Sequence, residues 1–178
     1  MSTGDDTASY RWRNEVGVLV EIKLSERFRE SRGEPINYGD KFVHMMIELP
    51  PISEPSVLRV VFHRASALRP QGLRLKVRGG HLEINGQRLD DIVLWSDSSP
   101  EETEAPVSLL KPGKPVTLRM RNSWRDQQGT LQAWTGNAGI LREERANGVL
   151  LSCSDGFGQP DFDDLIVEIR MEALRRAG

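Results

Sequence analysis

Three aspartates fall within four residues in the segment SDGFGQPDFDDLIVEI, residues 154–169: Asp161, Asp163 and Asp164. A fourth, Asp155, opens the glycine-containing loop before them. Carboxylates this close repel one another unless something neutralises them. In extended backbone Asp161 and Asp163 project to the same side, close enough to chelate. A hard cation is the fitting counter-charge, and calcium suits it, because it takes about 6–8 oxygen ligands in flexible geometry. Carbonyl oxygens of residues 156–159 could complete such a shell. The loop follows neither the EF-hand spacing nor a repeated glycine-rich calcium coil. The same residues also read without a metal, since an aspartate beside a glycine-rich turn caps backbone N–H groups. Asp155, Asp161, Asp163 and Asp164 are therefore the candidate metal ligands, with turn capping as the other reading.

A second segment, NSWRDQQGTLQAWTGNAG, combines flat apolar rings with amides. It holds Trp124 and Trp134, flanked by Asn122, Arg125, Gln132 and Asn137. Tryptophan stacks on sugar rings, and side-chain amides supply oriented hydrogen bonds. If residues 128–129 turn a hairpin, Trp134 is out of phase with Leu131 and Ala133 and can be exposed, whereas Trp124 shares the inward phase of Met120. Trp134, Asn137, Asn122 and Arg125 are the candidate ligand-binding residues. Burial of both tryptophans in the core is the competing reading.

Catalytic signatures are missing: no G-x-S-x-G, no P-loop, no dinucleotide fingerprint and no H-E-x-x-H occurs. His44, His63 and His81 lie on separate expected strands. His44 and His63 could be neighbours, with Glu48 in phase with His44, yet the spacing is not that of a ligand motif. The single cysteine, Cys153, excludes an internal disulfide and a cysteine zinc site, and its phase with Val149 and Leu151 places it inward. Arg74, Lys76, Arg78, Arg119 and Arg121 form a basic stripe if their two strands adjoin. It reads as a solvated sheet face, with phosphates or acidic sugars as the sharper alternative. A net charge of −2 offers no global attraction to nucleic acid or to an anionic membrane, so neither is expected as a partner. No run approaches the length of a membrane span, and the first residues lack an apolar signal core. A cytoplasmic address is the expectation.

The elements that must carry these residues are strands. Val16, Val18, Val20, Ile22 and Leu24 share one phase, with Glu21 and Lys23 opposite; Leu73, Leu75 and Val77 alternate with basic residues, Val116, Leu118 and Met120 with Thr117 and Arg119, and Leu165, Val167, Ile169 and Met171 again share one phase. Period two means one buried face. Gly79-Gly80, Asn85-Gly86 and Asn147-Gly148 supply residues tolerant of positive φ, as tight hairpins require. Residues 96–106, SDSSPEETEAP, read as a long acidic loop. Helix is expected only near residues 25–32 and in a short tail after Glu168. With 178 residues the chain predicts a mobile leader over 1–12 and one domain over 13–178. The expected fold is an all-β antiparallel sandwich, jelly-roll-like and rich in hairpins.

The string PDFDDLIVEI resembles the final strand of uncharacterised bacterial β-sandwich proteins that end in a DFDDLVV or DYNDLVF pattern. More loosely, it is similar to the last strand of jelly-roll carbohydrate-binding modules. The first resemblance implies calcium at Asp161, Asp163 and Asp164, or loop-capping carboxylates there; the second implies a glycan ligand. Together these readings give a non-catalytic binding module with a calcium-stabilised C-terminal loop and a glycan or protein ligand. The alternative is a structural or self-assembling sandwich without metal.

Overall fold

The structure is a computed structural model that describes residues 11–13 and 19–174. Sixteen strands and one helix occur among the described residues. They are β1 (Arg11–Arg13), β2 (Leu19–Glu21), α1 (Leu24–Glu30), β3 (Ile36–Tyr38), β4 (Lys41–His44), β5 (Ile47–Glu48), β6 (Ser56–Ala65) and β7 (Gln71–Arg78). There follow β8 (Gly80–Ile84), β9 (Gln87–Leu89), β10 (Asp91–Trp95), β11 (Glu102–Leu109), β12 (Thr117–Arg125), β13 (Leu131–Gln132), β14 (Gly139–Arg145), β15 (Gly148–Ser154) and β16 (Leu165–Ala173).

Two antiparallel sheets make an all-β sandwich. One has nine strands in the order β3-β4-β14-β15-β16-β6-β11-β8-β9; the other has five, β10-β7-β12-β13 with β5 also on β12. Alternation builds the space between them. Leu73, Leu75, Val77, Leu118 and Met120 of the smaller sheet share one buried cluster with Leu58, Val60, Leu82, Val149, Leu151, Val167 and Ile169 of the larger. Cys153 is buried there as well, and burial pushes its thiol well above the ordinary range. A satellite cluster of Leu24, Phe28, Ile36, Val43 and Phe162 packs α1 against the end of the larger sheet.

Several expectations are corrected. Residues 102–109 are a strand, not part of a loop: Thr103, Ala105 and Val107 face inward while Glu102 and Glu104 face out. The acidic side chains there engage Arg59, which bonds Glu102 at 2.8 Å and also contacts Glu104. Gly79-Gly80 is no hairpin, because β7 and β8 belong to different sheets. Gly79 (φ 77°) turns the chain from one sheet to the other. The hairpin at residues 146–147 forms, but Asn147 and Gly148 are not among the residues with positive φ. Asn85-Gly86 behaves as expected, with φ of 51° and 73°. The tail after Glu168 stays extended as far as Ala173, and residues 175–178 lie outside the described set. Strand pairing begins within the expected leader, since Arg11–Arg13 pairs with Leu19–Glu21. Val16 and Val18 lie outside the described residues, whereas Leu24 opens α1, the helix expected near residues 25–32.

Candidate functional site

The loop between β15 and β16 gathers the aspartates. Ser154, at the end of β15, accepts a hydrogen bond through its Oγ from the Phe162 N–H at 2.6 Å and donates to Asp161 Oδ1 at 3.3 Å. Phe162 adopts φ 58°, an uncommon conformation for a bulky residue, and its ring is buried edge-on against Tyr38. Burying that ring holds the backbone turn that separates Asp161 from Asp163. The Asp163 N–H then donates to Asp161 Oδ1 at 3.2 Å, closing an Asx turn. Carboxylate oxygens of Asp161, Asp163 and Asp164 lie within 4.8 Å of one another, on exposed, half-buried and buried side chains in that order. These three could hold a metal ion.

Electrostatics at the three differ. Asp164 Oδ2 accepts the Asp155 N–H at 2.9 Å. Burial nonetheless pushes its carboxyl up to about 6, helped by the negative charges of Asp155 and Asp161. Asp163 pairs with Arg64 at 3.0 Å on the surface.

Asp155 stands outside the cluster. It is fully buried and accepts from Arg69 Nε at 2.8 Å, Arg69 Nη2 at 3.2 Å, Gln71 Nε2 at 3.0 Å and the Phe157 N–H at 2.9 Å. Four donors satisfy this carboxylate and leave it as an anchor joining β7 and the loop. Arg69 also lies over the Phe157 ring, 4.2 Å from its centroid. A loop aspartate next to glycine carries no mark of burial in sequence, and its side-chain partners are more than eighty positions away.

The four candidate ligand-binding residues do not converge. Asn122 is buried and donates to the Ser154 carbonyl at 2.8 Å. Asn137 accepts from the Leu24 N–H at 3.1 Å and donates to the Gly158 carbonyl at 2.7 Å, so it ties α1 to the loop. Arg125 lies over the Trp95 ring at 4.0 Å. Trp134 is exposed, donates from Nε1 to the Met45 carbonyl at 3.0 Å and carries Arg121 over its ring at 3.9 Å. Trp124, as expected, is core.

The basic stripe is assembled. Thr117 to Trp124 of β12 pairs with Gln71 to Arg78 of β7, and Arg74, Lys76, Arg78, Arg119, Arg121 and Trp134 line a concavity of about 340 Å³. A larger concavity of about 720 Å³ opens near Pro51, Asn147 and Met171, and none of the candidate residues lines it. The histidines do not form a pair: His44 is on β4, and three strands lie between it and His63 on β6. His63 instead lies 3.0 Å from Glu168, which Arg170 also binds. Glu48 is on β5 in the other sheet, bonded to Arg119 at 2.5 Å.

No protein-family model, curated protein or solved structure matches the chain. Among the described residues, no helix is long and apolar enough to cross a membrane.

Proposed function

We propose that this chain is a non-catalytic binding module whose β15–β16 loop is closed by a bound calcium ion. The observation that carries the reading is the gathering of Asp161, Asp163 and Asp164 within 4.8 Å. Of the three carboxylates one is pushed up to about 6, and Arg64 on Asp163 with Arg69 near Asp164 answers only part of their charge, so the ionised site needs a further counter-charge. A divalent cation supplies it. Calcium suits the site better than magnesium, which requires a tight octahedral shell and gives up its waters reluctantly. Loop carbonyls and water would supply the remaining oxygens. The module's ligand is a glycan or another protein, bound on a surface that the loops and the smaller sheet support.

The test is thermal unfolding after chelator treatment, with calcium or magnesium then added. A ligand that binds only the native state stabilises it by mass action, by about 2.7 kcal/mol at one hundred times the dissociation constant. Calcium should raise Tm and magnesium should raise it less. Asp161→Ala with Asp163→Ala should abolish the effect. Arg64→Gln should strengthen it, because Arg64 competes with the cation for Asp163. If millimolar calcium leaves Tm unchanged while the aspartate variants lower it, the carboxylates only cap the turn and the reading fails.

A further inference from the structure

The smaller sheet places like charges face to face. In the β7–β12 register Lys76 lies opposite Arg119 and Arg74 lies opposite Arg121. Like charges directly opposite on one sheet face destabilise the strand pair. Two carboxylates answer part of this charge. Asp91 of β10 binds Arg74 in a fork at 2.7 and 2.6 Å, and Glu48 of β5 binds Arg119. Lys76, Arg78 and Arg121 have no carboxylate at ion-pair distance among the described residues.

The arrangement is built rather than splayed. The Arg121 guanidinium rests on the Trp134 ring, where burial and the neighbouring Arg74 disfavour its charge. Trp134 is held there by its bond to the Met45 carbonyl and by a backbone at φ 60°, which large side chains rarely adopt. Strain of this kind persists only where the surroundings enforce it, and it concentrates at binding sites.

We propose that this concavity binds a compact anion carrying two or more linked phosphate groups, held by Lys76, Arg78, Arg119 and Arg121. Guanidinium forks match phosphate oxygens in pairs, and the lysine adds a compact point charge. The bound anion would supply the counter-charge that the strand pairing lacks. Compactness follows from the borders. Asp91 lies opposite Lys76 on one side and Glu48 opposite Arg119 on the other, so the row across four strands reads acid, base, base, acid. A long polyanion crossing the sheet would meet carboxylates at both edges. The volume of about 340 Å³ is also that of a small-molecule site. None of the aspartate-loop residues takes part, so the inference is independent of the cation site.

The experiment is calorimetric titration of the full chain with tripolyphosphate and, separately, inorganic phosphate, at low and at physiological salt. One saturable site for tripolyphosphate is expected, tighter than for inorganic phosphate and weakened by salt. Lys76→Gln with Arg78→Gln should weaken tripolyphosphate binding at least about tenfold, since each substitution removes a charge-assisted hydrogen bond. The ligand-free double variant should keep about the wild-type Tm, because the repulsion it removes offsets the attraction it loses between Lys76 and Asp91. Arg88→Gln, on β9 of the other sheet, should bind as wild type, and so should Asp161→Ala with Asp163→Ala. The inference is overturned if no saturable binding occurs at low salt. It is equally overturned if Arg88→Gln weakens binding as much as the double variant, which marks a diffuse field. Binding of a long sulfated glycan without any binding of tripolyphosphate would also overturn it, as a polymer surface.

Discussion

Asp164 shows how a single carboxyl can report on its loop. Its pKa of about 6 in the fold exceeds its ordinary 3.8, so between these values the native state holds a proton that the unfolded chain has lost. Stability from this group therefore falls as pH rises through that window, and the loss is complete above about 6. In chelator, wild-type Tm should carry this downward component as pH rises from 3.8 to about 6, and Asp164→Asn should remove it while keeping an acceptor for the Asp155 N–H. A cation bound as proposed would reverse the sign, because it would favour the ionised carboxylate and stabilise the fold more as pH rises past about 6. Equal Tm-versus-pH slopes in wild type and Asp164→Asn would show that burial does not hold this carboxyl protonated. Asp155 gives the contrasting case. Its ion pair with Arg69, together with Gln71 and a backbone N–H, leaves it no oxygen for a metal. The sequence pattern treats the four aspartates alike, and only their partners distinguish anchor from cluster.

Strands β15 and β16 are pressed together where the β14–β15 hairpin closes. A Cβ added to Gly148 would lie 1.8 Å from the Ile169 carbonyl oxygen, so the glycine is required by contact and not by φ. Gly148→Ala must push β15 away from β16 and disturb the pairs from Gly148 opposite Arg170 to Cys153 opposite Leu165. The expected loss is about 2–4 kcal/mol, near the upper end for overpacking because the obstacle is backbone. Denaturant unfolding measures it; a loss below about 0.5 kcal/mol, the level of an ordinary surface change, would show that the hairpin can relax. Alternation made most core strands legible, as with Leu73, Leu75 and Val77. It failed for β11, where two of the three buried residues, Thr103 and Ala105, are too polar or too small to signal a buried face beside Val107. It failed also at Leu24, which continues an alternating run into α1.

The main cluster draws side chains from both sheets, so neither sheet keeps an apolar interior without the other. Strand β6 adds to this, pairing β16 on one side and β11 on the other. Unfolding should therefore be cooperative. Tryptophan fluorescence, to which the buried Trp124 of the smaller sheet contributes among four tryptophans, and far-ultraviolet circular dichroism, which reads both sheets, should give coincident transitions. Two separated midpoints would show that the sheets, or the satellite cluster around Phe28 and Phe162, unfold as distinct units.

Period-two patterning on its own determined that the chain is all-β with one face of each main strand buried, because side-chain direction in a strand is a local property of the backbone. It also marked Trp124 and Cys153 as inward, while the crowding of acids along the chain singled out Asp155, Asp161, Asp163 and Asp164. Strand order, by contrast, depends on contacts between positions far apart in sequence, which no local pattern encodes. Tertiary structure alone set Lys76 opposite Arg119, separated His44 from His63 by three strands, and enclosed Asp155 between Arg69 and Gln71. A basic residue on an outward phase looks the same in sequence whether its neighbour across the sheet is an acid or another base, and the fold makes that choice.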